Sequence, residues 1–245
     1  MKIKDILIFG LLLIALNTLK AQDEENVGWI SKFGAAGGFT PSWILPNYEP
    51  INKELNMLGL EIFPKSGMMT YGGSGYLYIM FWENFRIGGT GFGGKISRQK
   101  TINGTNIQTD YSIGAGGLTL EYTLPFIHNI AVSVGCILGG GSVDIDIYKN
   151  KENFTWDGVW LDNNNSTTIN EFKKISNSFY TITPTINVDI PLNRFIALRL
   201  GGGYLLEIAG EWKVNNNREL YNTPSDLTAN SFFLQTGIFF GFFAF

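Results

Sequence analysis

The sequence predicts an all-β protein: an eight-stranded antiparallel transmembrane up-and-down β-barrel with short periplasmic turns and longer extracellular loops. Three observations predict it. Apolar and polar residues alternate over segments far longer than a soluble strand. The connectors between these segments alternate in length. The chain also combines 30 glycines and 14% aromatic residues with only 16% charged residues, a composition suited to long strands that bend and sit in lipid.

The barrel is expected to occupy residues 22–245, because residues 1–21 read as a secretory signal peptide. Met1-Lys2-Ile3-Lys4 is a short basic start, Ile6 to Leu16 is uncharged, and Leu19-Lys20-Ala21 ends on a small residue. The apolar run has 11 residues, too few for a retained anchor, since a helix crossing a bilayer needs about 20. No later segment is long and apolar enough to be a transmembrane helix.

Strands are predicted near residues 29–40, 69–81, 85–98, 111–124, 130–148, 177–190, 195–214 and 231–244. Residues 180–190 show the pattern most plainly: the even positions are apolar or Pro184, and the odd positions are Thr181, Thr183, Thr185, Asn187 and Asp189. That is the two-residue period of a strand with one greasy face. From Ile196 to Val214 the even face stays apolar or glycine throughout, a run of about 19 residues against about 5–6 for an ordinary strand. Residues 69–81 are apolar on both faces and leave their register open.

The connectors at residues 82–84, 125–129 and 191–194 are short; those at 41–68, 99–110, 149–176 and 215–230 are long and mostly polar. An even strand count places both ends of the barrel on the short-turn, periplasmic rim. In residues 130–148 the apolar parity flips across Gly139-Gly140-Gly141, and similar flips fall near Gly88-Gly89 and Gly116-Gly117. A β-bulge at each glycine cluster would account for them. Pro184 also suggests a bulge, because a closed barrel has no free edge to hide a missing N–H. Within the first long loop, residues 50–59 read as a short helix ended by Gly59, with Ile51, Leu55 and Leu58 on one face. Such a helix could lie on the membrane, cap the barrel or bind a partner.

Several function classes are disfavoured. Removing residues 1–21, which carry Lys2, Lys4, Lys20 and Asp5, leaves 15 basic and 20 acidic residues, a charge of −5. No basic block remains, so nucleic acid is not an expected partner. Cys136 is the single cysteine, so no disulfide forms within the chain. Gly89-Thr90-Gly91-Phe92-Gly93-Gly94 fits the glycine spacing of a dinucleotide loop, but an alternating segment follows instead of a helix. His128, the single histidine, falls in a periplasmic turn, away from the outer rim where barrel hydrolases generally place theirs. Asp144, Asp146 and the run Asp162-Asn163-Asn164-Asn165 are oxygen-rich enough for calcium, though such clusters are more often turns. No catalytic residue, cofactor or metal site is expected.

The most specific motif closes the chain. Gln235-x-Gly237-x-x-Phe240-x-Phe242, followed by the terminal Phe245, resembles the C-terminal insertion signal of bacterial outer-membrane proteins. The spaced match ends three residues before the terminus. In size and pattern the chain resembles the small eight-stranded group typified by OmpA, OmpX and OmpW. That resemblance implies an outer-membrane location, contact with outer-membrane lipid, and recognition by the barrel-insertion machinery.

Lys32, Lys95, Glu121, Asp189, Arg199, Glu207 and Glu211 are expected on the face opposite lipid. Their mixed signs suggest a salt-bridged lumen, and an eight-stranded barrel has room inside for side chains or one small ligand. The expected function is therefore a non-enzymatic structural, adhesion or binding module with an extracellular or small hydrophobic ligand. The alternative is a narrow channel or transporter for a small or hydrophobic molecule, and an outer-membrane enzyme ranks third.

Overall fold

A computed structural model describes residues 33–79, 81–127, 130–151, 156 and 170–244. Residues 1–21, which read as a signal peptide, Lys32, His128, the run 162–165 and Phe245 lie outside the described residues. Among the described residues ten strands and one helix follow in order: β1 Phe33–Phe39, β2 Ser42–Pro46, α1 Glu49–Met57, β3 Met68–Tyr78, β4 Phe85–Ile102, β5 Thr105–Thr123, β6 Ala131–Asn150, β7 Glu171–Pro191, β8 Ile196–Val214, β9 Arg218–Glu219 and β10 Ser231–Ala244.

Strands β1 and β2 are two halves of one strand. Both pair with β10 and with β3, and the register is the same on either side of Thr40-Pro41. Pro41 lacks an N–H but its carbonyl still accepts from Thr236, and the Thr40 amide donates to Gly72. The first wall strand thus reaches Pro46 and takes up residues expected in the 41–68 loop. Counted this way, eight antiparallel strands form a closed ring, since β10 pairs with the first strand on one side and β8 on the other. Closure leaves no edge, as a barrel in lipid requires.

The wall is uneven. Strands β4 to β8 run 18 to 21 residues, whereas β3 has 11 and β10 has 14. A 19-residue strand is roughly 65 Å long. Tilted as such strands are, it rises about 50 Å, twice the ~25 Å apolar band of a membrane barrel. The β4–β5 hairpin accounts for part of this height. Residues 99–110, expected as a loop, are ladder up to Ile102↔Thr105, and the turn is Asn103-Gly104 with φ of 48° and 76°. Asn-Gly supplies the two left-handed residues that a tight hairpin needs.

Below the middle of the barrel the outward residues are greasy: Leu77, Leu118, Val134, Leu138, Ile182, Ile186, Leu200, Leu234 and Ile238 are all exposed. Trp82, Phe126, Phe195 and Phe242 ring the short-turn rim, and Tyr71, Tyr180 and Phe232 lie higher. Above the middle the preference inverts. Tyr111, Ile113, Val143 and Ile145 turn inward and form one core with Ile44, Tyr48, Ile51, Leu55, Leu60 and Phe63. The helix caps the barrel mouth.

This inversion explains the parity flips. No bulge occurs at Gly139-Gly140-Gly141, Gly88-Gly89 or Gly116-Gly117: β4, β5 and β6 pair in continuous register through all three. The strands stay regular, and the favoured face changes because lipid outside gives way to water. The inward glycines serve close approach instead. A Cβ on Gly117 would sit 2.3 Å from the Leu138 carbonyl oxygen, and one on Gly139 2.0 Å from that of Gly116. Pro184 makes no bulge either. Its ladder to β8 lapses between Ile182↔Leu206 and Thr185↔Gly203 without a change of register. The one register shift recorded in these ladders is where the sequence pattern runs unbroken. Between Ser178 and Tyr180, β7 slips one residue against β8, near Ala209 at φ 54°. The slip turns Trp212 inward, where its indole N–H donates to the Leu227 carbonyl at 2.9 Å.

Candidate functional site

Two regions of the lumen carry chemistry, a buried charge cluster near the short-turn rim and an apolar cleft at the mouth. Register builds the first. Arg86 lies directly opposite Glu121 in the β4–β5 ladder, and Asp189 opposite Arg199 in the β7–β8 ladder. All four point inward and are almost completely buried. Arg199 grips Asp189 with two bonds, Nε to Oδ1 at 2.6 Å and Nη2 to Oδ2 at 2.9 Å. It reaches Glu121 at 3.0 and 3.2 Å. Arg86 bonds Asp189, Glu121 and the Ser133 hydroxyl, each at 2.5 Å.

The two guanidinium groups flank the Tyr76 ring at 4.5 and 4.7 Å, and Arg199 also lies 4.8 Å from the Phe239 ring. Two positive and two negative groups leave the cluster neutral. Each carboxylate receives several charge-assisted bonds, the condition under which burying such ions is tolerated. Above the cluster, Asn187 donates to Glu121 at 3.2 Å and accepts from Gln235 at 2.9 Å. The remaining void among Thr90, Thr119, Thr185, Asn187 and Gln235 is about 10 Å³, no more than one water's room. Phe92, Phe179, Phe233 and Leu205 fill the next layer.

Of the residues expected in the lumen, Glu121, Asp189, Arg199 and Glu207 lie inside. Glu207 accepts from the Asn177 side chain at 2.6 Å and from the Ala229 amide at 2.5 Å, tying residues 215–230 to the wall. Two placements are corrected. Lys95 is on the outer face with its side chain half exposed, bonded to Asp110 at 2.7 Å. Without a bulge at Gly88-Gly89, it shares the parity of Ile87 and not of Arg86. Glu211 also faces out, its side chain 80% exposed, because the slip near Ala209 exchanges the faces above it. Asp144 is likewise external and pairs with Lys174 at 3.2 Å. Among the described residues no His, Cys, Asp or Glu side chains group as a metal site.

Sequence reasoning missed Arg86, the most central member of the cluster. The signal was present: counting back from the Asn103-Gly104 turn, residue by residue, sets Arg86 opposite Glu121.

The cap is fastened on several sides. Asn52 in α1 bonds both the amide and carbonyl of Phe63, at 2.7 and 3.1 Å. From β4, Arg98 donates to the Ile62 carbonyl and Lys100 to that of Gly59, both at 3.0 Å. Tyr48 packs edge-on against Tyr111 with ring centres 5.0 Å apart, and burial pushes its phenol above the ordinary tyrosine range. Gly59, at φ 71°, ends the helix. Between α1, the tops of β5, β6 and β7, and residues 220–227 lies an apolar cleft of about 430 Å³.

No protein-family model matches the sequence, and no curated protein matches it. Solved structures do. Ail, the attachment invasion locus protein of Yersinia pestis, was solved in complex with the heparin analogue sucrose octasulfate. It aligns with a TM-score of 0.42 at 9% identity, over 86% of this chain and 97% of its own. The outer membrane protein OprG from Pseudomonas aeruginosa aligns with a TM-score of 0.42 at 11% identity, over 86% and 96%. CarO2 of Acinetobacter baumannii gives 0.36 and 12%, over 84% and 98%. The chain is similar to these in architecture, and its own strand pairing establishes the barrel.

Proposed function

We propose that the chain is an outer-membrane β-barrel acting as a non-enzymatic, non-conducting binding module that holds a rigid crown above the membrane. The greasy outer belt and its aromatic rims support the membrane location. The closed lumen carries the functional reading. A neutral charge cluster, a polar layer with about 10 Å³ of space, and a capped apolar core support a lumen without an aqueous path. In this proposal residues 1–21 are removed on export. Strand β10 carries the insertion signal, with Gln235 and Gly237 facing in and Phe240 and Phe242 facing lipid. Its partners are outer-membrane lipid and, during assembly, the insertion machinery.

The test is conductance of the refolded barrel in a planar lipid bilayer, with heat-modifiable gel migration as the check on folding. Silent membranes are expected. Reproducible single-channel steps from folded protein would overturn the non-conducting reading in favour of a channel.

A further inference from the structure

We infer that the cleft at the barrel mouth is a binding site for a small, electrically neutral, largely apolar molecule bearing one hydrogen-bonding group. The inference deepens the binding-module reading and rests on it for the claim that the ligand is held and not passed through.

The cleft measures about 430 Å³, within the range of small-molecule sites. One side is the helix, through Ile51 and Leu55. The other is the inner face of the wall, through Ile145, Ile147 and Ile175, and Leu227 lies at the third side. These side chains supply no charge, so the body of the ligand is apolar. Its position matters as well: these residues stand in the upper half of the barrel, where the outer face is polar. The cleft therefore takes its ligand from water or from a partner outside the cell, not from lipid tails.

Two polar features define the ligand further. Thr109 lines the cleft, is only 2% exposed, and its hydroxyl has no hydrogen-bond partner. A buried hydroxyl without a partner is costly, and a ligand donor or acceptor reaching it would remove that cost. Glu54 is the one charged side chain among the described lining residues. A carboxylate or sulfonate would meet this negative charge with no cation among the described lining residues to offset it. A neutral ligand meets no such opposition.

The residues around the opening suit entry. Met57 and Tyr221 line the cleft and are 73% and 76% exposed. The opposite border, residues 220–227, is tied to the wall below it by Glu207 through Ala229 and by Trp212 through Leu227. The site is thus assembled from a cap and a loop that the barrel positions independently.

The probe is N-phenyl-1-naphthylamine, a neutral aromatic amine with one N–H, titrated by fluorescence into full-length protein in lipid nanodiscs. Empty nanodiscs give the partitioning background. One saturable site per chain is expected above that background. Thr109→Val, which keeps the shape and removes the hydroxyl, is expected to weaken binding about fivefold. Ile147→Trp is expected to abolish it. Met57→Trp, at an exposed position that cannot unfold the core, is expected to weaken it at the rim. 1-Anilinonaphthalene-8-sulfonate, nearly the same ring system with a negative charge, is expected to bind more weakly than the amine.

Binding that never exceeds the empty-disc background overturns the site. Saturable binding indifferent to all three substitutions overturns its location. Tighter binding of the sulfonate overturns the neutral-ligand assignment. Conductance recorded on the same preparations separates the two claims. Binding with channel steps overturns the non-conducting reading, and with it the claim that the ligand is held, but leaves the cleft as a site; silence without binding overturns only the cleft.

Discussion

Removing one charge from the buried cluster should destabilise the barrel more than removing two. In Glu121→Gln the side chain keeps its size and one oxygen, but Arg86 and Arg199 are left with Asp189 as their single counter-ion. Glu121 is 4% exposed and Arg86 1%, so water cannot take its place without opening the lumen. Breaking a buried ion cluster from one side costs about 3–5 kcal/mol. The double variant Arg86→Met/Glu121→Leu removes an opposite pair. It leaves the Arg199–Asp189 fork intact, at 2.6 and 2.9 Å, and buried pairs replaced by apolar residues are often nearly neutral. The double variant should therefore be more stable than Glu121→Gln by roughly 2 kcal/mol or more. Urea unfolding in lipid vesicles, followed by tryptophan fluorescence and by loss of the compact gel band, measures all three proteins. A single-variant loss under about 1 kcal/mol, the size of an exposed ion pair, would mean that the cluster is hydrated and the lumen unsealed.

Further outcomes follow from the crown. Glu207→Gln should loosen residues 215–230 by about 1–3 kcal/mol while the barrel stays folded, seen as faster amide exchange at Ala229 and earlier protease cleavage in that segment. Tyr48→Phe should leave the cap as stable or slightly more so, because the buried phenol has no hydrogen-bond partner; a loss above about 1 kcal/mol in thermal melting would contradict this. The same phenol predicts an alkaline weakness. Its folded-state pKa is raised above the ordinary value of 10.0, so its contribution is full below pH 10 and falls as pH rises past that point. Wild-type cap fluorescence should change above pH 10 and the Tyr48→Phe change should be smaller. Gly104→Val, which forces a β-branched residue to φ 76°, should fray the β4–β5 hairpin by about 1–2 kcal/mol without harming the membrane belt.

Most of the barrel was legible because lipid imposes a simple rule on one face. Strands β7 and the lower part of β8 showed it without interruption, and the eight-strand count followed. The helix was legible for a local reason, the spacing of Ile51, Leu55 and Leu58 before Gly59. What escaped came from two sources. Reading a flip of apolar parity as a bulge assumes one solvent along the whole strand. In β6, Val134 faces lipid and Val143 faces a protein core on the opposite side, with the backbone regular between them. In β8 the unbroken pattern concealed the bulge at Ala209 for the same reason. The second source was turn chemistry. Asn103-Gly104 was embedded in a polar stretch and passed as loop, and with it went the register that pairs Arg86 with Glu121. The charge cluster was therefore seen as a scatter of lumen residues, without the arginine at its centre.

The change of face midway along the strands also separates two lengths that a membrane barrel usually keeps linked. Only the lower part of each tall strand must match the thickness of the hydrocarbon, and mismatch there carries a cost for each ångström. The upper part stands in water, with its own core beneath α1. Residues can be added or lost in hairpins such as β4–β5 without tilting the barrel or straining the bilayer. The crown can thus vary in height and shape from one membrane to another while its anchorage stays unchanged.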